Sequence, residues 1–443
     1  GAVLCKVVVS IESGYQFGQV ALKLLEKLDN QQIIARTIDL VYGTIQVWKM
    51  HLKATLKPLQ DAYQIGKDNG SFEYAGYGIV KHCYYSFLTG QPLKELEQDM
   101  KTYSEVLAQL KQLTAVNYLE RDRQAILNLI EGSLLPGVLT GRVYDEWQNL
   151  PIYEQVNDEY GLLYLYLNKV ILSYLFEEYS QAIAYANTAG TYLDGGTGLA
   201  LVAVFYFYDS LARLAIYPEL TISEQAKMMQ RVNANQKKMK FWANLAPMNY
   251  LHKYDLVEAE RYRVLGQYLE AMEYCDRAIA GAKENEYIQE QALSNELAAK
   301  LYLSRGQEKI AQVYMKDACY CYTCWGSEAK VKDLQGKYPQ LLTENWTPSR
   351  LKYSIVSNLT TSTSSTEILD IATVIKASQA ISGEIVLEKL LAKLMKILIE
   401  NAGAEVGYLI LHSQPESGNE SEKLLIQASG CVNEENIAVL QSI

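Results

Sequence analysis

The residues most able to do chemistry are the three cysteines of the stretch CYCYTCW, which are Cys319, Cys321 and Cys324. Three thiolates can hold Zn²⁺ when a fourth ligand completes the tetrahedron. On a helix, which turns by about 100° per residue, only Cys321 and Cys324 share a face. No histidine or further cysteine lies nearby in the sequence. The pattern therefore favours free buried thiols, and a Cys-cluster metal-binding protein stays as an alternative.

Other reactive groups are scarce. The four histidines, His51, His82, His252 and His412, are isolated, and none precedes an acidic residue as a phosphoacceptor histidine does. The sequence contains no GxxxxGK[ST] phosphate loop, no kinase catalytic-loop or DFG motif, and no HExxH. We therefore predict no catalytic residue, no cofactor-binding residue and no metal ligand in this segment, so it reads as non-catalytic by itself.

Charge and hydropathy exclude further classes. The 443 residues include 41 Lys and Arg against 51 Asp and Glu, a net charge of −10, which is the wrong sign for a nucleic-acid partner. No apolar run approaches the roughly 20 residues that a membrane-spanning helix needs. Seven cysteines, an odd number without framework spacing, indicate a reducing compartment. We predict a cytoplasmic protein with no nucleic-acid partner and no membrane span.

The elements that must position these residues are helices. From residue 1 to 342, apolar residues recur at steps of three and four, as in FGQVALKLLEKL, where Val20, Leu24, Leu25 and Leu28 form one stripe. Short breaks such as KDNG, LTGQP and YLDGGTG separate the stripes. The sequence therefore predicts a mainly α fold built from successive helix hairpins.

An internal repeat supports these hairpins. Residues 263–279 align with residues 302–319 so that one Gly and two Ala positions recur 40 residues apart, and residues 176–189 form a weaker third copy. Gly allows a tight turn between paired helices, Ala residues seven apart let the backbones approach, and Tyr fills the space beside them. We predict that the following residues pack between helices: Tyr179, Ala182, Ala189, Leu265, Gly266, Tyr268, Ala271, Ala278, Gly306, Ala311 and Ala318.

This signature resembles the tetratricopeptide pattern, in which Gly is followed by Tyr, then Ala, then Ala seven residues later. The family repeat is about 34 residues long, and its Trp and closing Pro are missing here. The resemblance implies a tetratricopeptide-like α-α superhelix over residues 1–342. We expect most of the 34 tyrosines to pack between helices and the rest to line a concave groove for a peptide or another domain. An irregular helical bundle is the alternative.

The amino-acid composition changes after Pro339. Residues 343–366 form a Ser/Thr-rich stretch that predicts a linker, and Ser364 and Glu367 make a capping box for the next helix. Two helices over about 367–401 follow, and then two strands, 406–412 and 423–430, and a helix from 433. We expect a signalling or dimerisation role for the apolar faces of the two helices, which carry Ile368, Ile371, Ile375, Leu387, Leu391, Leu394 and Leu398.

The stretch 369–430 resembles the start of a GAF domain, in particular that of large bacterial, especially cyanobacterial, signalling kinases. Those proteins combine a serine/threonine kinase, a signal-transduction NTPase, a tetratricopeptide-like region, a GAF domain and a sensor histidine kinase. ATVIKASQAISGEIVLEKLLAKLMKILIENAGAEVGYLIL and VEAERYRVLGQYLEAMEYCDRAIAGAKENEYIQEQAL carry the resemblance. It implies a segment of such a kinase without its catalytic ends, in which 367–443 is the N-terminal part of a truncated α/β GAF domain.

The expected function follows from both parts. The sequence predicts a regulatory, protein-interaction segment that passes a partner or ligand signal to a kinase by helix repacking. Its expected partners are proteins or neighbouring kinase and NTPase domains, and a homodimer through the GAF-flanking helices. The alternative is the helical-repeat region of an NTPase-type transcriptional activator, although the sequence shows no basic helix-turn-helix.

Overall fold

The computed structural model describes residues 10–25, 27, 31–342, 406–413, 423–431 and 438–439. The chain separates into two compact units, Gly1–Ile355 and Val356–Ile443. The described part is mainly helical, which confirms the predicted class. None of its helices is long and apolar enough to cross a membrane. The predicted linker and both helices of 367–401 lie outside the described residues.

The first unit is built from α-helices joined mostly by short turns. Its described helices are α1 (Ile11–Leu25), α2 (Gln31–Thr44), α3 (Leu56–Asp68), α4 (Phe72–Leu88), α5 (Leu93–Gln109), α6 (Leu113–Ile130), α7 (Glu146–Gln155), α8 (Glu159–Leu175), α9 (Tyr179–Ala189), α10 (Leu201–Ile216), α11 (Ile222–Leu245), α12 (Pro247–Val264), α13 (Tyr268–Glu284), α14 (Ile288–Ser304), α15 (Glu308–Trp325) and α16 (Glu328–Lys337).

One turn geometry recurs between these helices. Gly266 and Gly306 adopt the left-handed conformation, with φ of +76° and +71°. In each turn the next residue donates its N–H to a carbonyl five residues earlier, as Gln267 does to Tyr262 over 3.0 Å. Glu286, a non-glycine residue, holds the same position between α13 and α14 with φ of 58°. In these turns the last carbonyls of one helix accept hydrogen bonds, and the chain reverses direction for the next helix.

The helices form an inner and an outer set. The inner helices α4, α6, α8, α10, α12 and α14 each contact the next in that order, and most of the others pack outside them. Inner helix α8 buries 14 of its 17 residues, whereas outer helix α13 buries 4 of its 17. The difference follows from sequence, because α8 is apolar nearly all round and α13 has one stripe of small residues.

Contacts between distant parts of the chain close this arrangement. The Ser327 hydroxyl donates to the Leu129 carbonyl over 3.3 Å, and the Gln289 amide donates to the Leu88 carbonyl over 2.6 Å. Helix α16 packs on α6. In an open stack each repeat contacts only its neighbours, so the helical unit closes on itself instead.

Buried tyrosines fill the space between the helices of this unit, as the sequence predicts for most of them, and a concave groove lined by the rest stays a prediction. Tyr84, Tyr164, Tyr287 and Tyr322, all on or beside inner or packed helices, are essentially fully buried. Their rings fill the space between helices, and the hydroxyls of Tyr84, Tyr287 and Tyr322 donate to protein groups, as Tyr322 does to Glu296 over 2.9 Å. The inner surface is therefore packed where it is described.

In the second unit, β1 (Val406–Ser413) pairs antiparallel with β2 (Lys423–Cys431), with Val406 opposite Cys431. Both strands coincide with the predicted stretches. A short β3 (Ala438–Val439) pairs with β2. The predicted helix from 433 is therefore wrong at these two residues, because the free edge of β2 offers backbone partners that a local sequence pattern does not reveal.

The left-handed turns make a direct prediction. Gly266→Ala and Gly306→Ala each lower the free energy of unfolding by about 1 kcal/mol, because a side chain disfavours positive φ. A Cβ at either position meets nothing within 4 Å, so the effect is one of backbone conformation alone. Gly336→Ala is the matched control, because that helical glycine also has open space. We expect it to be neutral or stabilising in urea titrations; equal loss in all three variants contradicts the explanation.

Candidate functional site

The alanines of the predicted packing signature all lie inside. Ala182, Ala189, Ala271, Ala278, Ala311 and Ala318 each have 0% exposed surface. They sit on the outer helices α9, α13 and α15, on the face that meets the inner helices. A methyl group is the largest substituent that such close contact admits, so larger side chains at these sites would separate the helices.

The other signature residues are two glycines, two tyrosines and Leu265. Gly266 and Gly306 make the turns described above, and Tyr268 stacks under the Arg305 guanidinium at 4.3 Å. Tyr179 is partly buried, with its ring 5.6 Å from that of Tyr174. Leu265 does not pack in a helix interface, because it is 45% exposed. It is the C-cap of α12, where the chain leaves the packed helix face.

The second predicted set cannot be placed. Ile368, Ile371, Ile375, Leu387, Leu391, Leu394 and Leu398 lie outside the described residues, so their signalling or dimerisation role stays a prediction.

The cysteine cluster is split between the interior and the surface. Cys319 and Cys321 are buried and Cys324 is exposed. Burial raises the pKa of the Cys319 and Cys321 thiols to about 12, which disfavours the thiolates that a metal would need. Across the described ranges, no three His, Cys, Asp or Glu side chains converge at metal-binding distances.

Charged groups are buried in the helical unit and paired with one another. The Glu296 carboxylate on α14 accepts from Lys300 at 2.6 Å and from Lys330 at 3.0 Å. Burial alone raises the pKa of Glu296, but the two ammonium groups outweigh burial and lower it to about 2. Lys330, with 0% exposure, also donates to the Leu175 carbonyl. The cluster thus joins α14, α16 and the end of α8.

Two similar clusters lie elsewhere among the inner helices. The fully buried Arg121 pairs with Asp122 at 2.8 Å, and Asp122 accepts from Asn168 of α8 at 2.8 Å. Between α12 and α14, Glu290 pairs with His252 and with Lys253 at 2.7 Å. Burial is the first cause that lowers the pKa of His252 to about 4, so this imidazole is neutral at neutral pH. These paired, enclosed groups hold helices together and have no access for a substrate.

An accessible site lies where α11 passes the segments around residues 48 and 194–206. We call it the aromatic cleft; it has a volume of about 710 Å³. Its walls are mainly apolar and its polar groups are few, as in sites for small molecules. It is lined by Ile11, Trp48, Leu193, Asp194, Thr197, Gly198, Val202, Tyr206, Ala234, Lys237, Lys238, Phe241 and Trp242.

Aromatic packing fixes the wall of the cleft. The Trp48 indole donates to the Gly198 carbonyl over 3.0 Å, and its ring lies 5.4 Å from that of Trp242. The ring of Tyr206 on α10 also lies 5.7 Å from that of Trp242. Phe241, one position earlier on α11, stays 42% exposed. The result is a rigid aromatic wall beside an exposed apolar ring.

Two lysines stand at this wall. The Lys238 ammonium donates to the Tyr206 hydroxyl over 2.5 Å and lies 4.3 Å from the ring centre. Lys237 precedes it on the exposed side of α11. In the part of the chain that the structure describes, neither lysine has a carboxylate within 4.0 Å. The cleft therefore presents positive charge that protein carboxylates do not neutralise there.

The sequence did not predict this cleft. Its local signal was the run QKKMKFW, residues 236–242, in which two lysines precede two aromatic residues by four positions and so share a helix face. A charge run is a solvated helix face by default, and only the arrival of Trp48 and Tyr206 from distant segments makes a cleft.

Comparison with known proteins gives one partial similarity. Part of the chain is 32% identical over 124 residues to hybrid signal transduction histidine kinase G of Dictyostelium discoideum. The match covers 28% of this chain and 4% of that kinase, so the chain spans only a small fraction of its relative. No protein-family model matches the chain.

The Glu296 cluster predicts a pH dependence of stability. An unfolded Glu has a pKa near 4.3, whereas the folded value is about 2, so the contribution is complete above about pH 5 and falls as the pH drops towards 2. We expect Glu296→Gln to destabilise the protein by about 3 kcal/mol at pH 7 and by less at pH 3. Urea unfolding at several pH values measures this.

The control is Glu105→Gln on the exposed side of α5, which should change stability by less than about 0.5 kcal/mol at every pH. A gap between wild type and Glu296→Gln that stays constant from pH 7 to pH 3 would mean that the charge of Glu296 does not stabilise the fold.

Proposed function

We propose that this chain is a non-catalytic regulatory and protein-interaction segment of a signal-transduction kinase. In this proposal the tetratricopeptide-like helical unit receives a partner or a ligand. The signal passes through the helices of 367–401 to a kinase domain by helix repacking, and the following strands open a GAF domain. The bacterial type of the parent kinase, a homodimer through the 367–401 helices and a cytoplasmic location belong to the same proposal.

The observation that carries the proposal is the closed helical unit itself. Its buried ionisable groups are enclosed and paired, as Glu296 is with Lys330, so they hold helices in place and are out of reach of a substrate. The partial similarity to a hybrid histidine kinase supports a role in signalling. The exposed aromatic cleft offers a place where the signal would enter.

A fusion tests the relay. We would join the dimerisation helix of a histidine kinase core directly after residue 401 and measure its autophosphorylation with and without residues 1–342. The proposal expects the helical unit to change the rate by on the order of 5-fold or more. One alanine inserted after Lys396 turns the following helix by about 100° and should shift the rate again.

Insertion of seven residues at the same place is the control, because it nearly restores the helix phase and should return the rate towards that of the uninterrupted fusion. The proposal fails if the rate is the same with and without residues 1–342, or if the single insertion alters both fusions equally.

A further inference from the structure

We propose that the aromatic cleft binds a small amphipathic organic anion, a compound with an alkyl or aromatic body and one carboxylate-type head group. The inference deepens the proposed regulatory role, because it names the chemical class of the signal and rests on that role for its meaning. The binding itself is a separate property of the helical unit.

The walls select the apolar body. Trp48, Val202, Tyr206 and Trp242 give the cleft aromatic and aliphatic surface, and Phe241 at its mouth is 42% exposed. An exposed phenyl ring beside a preformed cleft loses contact with water when an apolar group covers it, which favours binding. The volume of about 710 Å³ lies within the range of small-molecule sites.

The lysines that line the cleft favour a ligand with a negative charge. Lys237 and Lys238 line the cleft, and Asp194 is the one carboxylate among its lining residues, so positive charge is in excess. The ring of Tyr206 holds the Lys238 ammonium at 4.3 Å, which limits the side-chain entropy lost when an anion pairs with it. A cationic or neutral ligand of the same shape gains no such pairing.

The shape favours a small molecule over a peptide. The lining comes from one stretch of α11 and from short segments near residues 11, 48 and 193–206. The cleft is therefore a short depression formed by several separate segments of the chain. A bound peptide needs a long groove or a free strand edge, and the segments that line the aromatic cleft supply neither. Lys237 and Lys238 are exposed, so a carboxylate head that pairs with them stays partly hydrated.

The test uses the full chain and three ligands that share one alkyl body: octanoate, 1-octanol and octylammonium. Binding is measured by isothermal titration calorimetry and by tryptophan fluorescence, to which Trp48 and Trp242 contribute. We expect saturable binding of octanoate with an affinity about tenfold above that of octanol, and weaker binding still of octylammonium.

Matched variants separate charge from shape. Lys237→Gln with Lys238→Gln should reduce octanoate affinity to about that of octanol, because these variants remove the charge and keep most of the alkyl stem. Lys240→Ala, on the same helix but not in the lining, should change nothing. Asp194→Asn should tighten octanoate binding a few-fold, and Phe241→Ala should weaken all three ligands. Thermal unfolding of each variant shows that the fold is retained.

Three results would overturn the inference: equal affinities for the three ligands, octanoate binding that survives loss of both lysines, or binding of an acidic peptide with no binding of octanoate. No kinase takes part in this experiment. Failure here therefore leaves the relay through residues 367–401 to its own test, and a failed fusion leaves the ligand site intact.

Discussion

The first unit depends on the pairing of charges that have no access to water. Its inner helices are covered on both sides, so every polar group on them must find a partner within the protein or destabilise the fold. Lys330 shows the constraint most clearly, because its ammonium is fully enclosed and reaches both Glu296 and the Leu175 carbonyl. Removing one partner from such a cluster leaves a buried charge unpaired, which is far worse than never forming the pair.

The helical unit closes through contacts between distant parts of the chain. Small residues and left-handed turns let each helix hairpin stack on the next, but they act only between neighbours. The bond from Lys330 to the Leu175 carbonyl and the bonds from Ser327 and Gln289 instead join parts of the chain that are far apart in sequence. Because the interior is filled in this way, ligands have access from outside, as they do at the aromatic cleft beside α11.

The sequence predicted what depends on local pattern. Helical periodicity indicated the mainly α class. The repeated Gly positions, 40 residues apart, lie in left-handed turns, and the repeated Ala positions lie on buried helix faces. It did not predict that Leu265 would be exposed, because a cap residue and an interface residue look alike in a repeat alignment. It missed closure and the cleft because both arise from residues that meet only in three dimensions, as Trp48 and Trp242 do. The strand at Ala438–Val439 was missed for the same reason, since the edge of β2 decides it.

Zero-length carbodiimide coupling tests closure most directly, because it joins only an amine and a carboxylate that are in contact. Lys94 on α5 and Glu328 on α16 are 2.7 Å apart, both accessible, and 234 residues apart in the sequence. Lys57 and Asp61, 2.8 Å apart within α3, provide an internal standard. The account predicts that the native monomer yields both linked peptides and that concentrated urea abolishes the 94–328 link. A native monomer that yields the 57–61 link without the 94–328 link would contradict it.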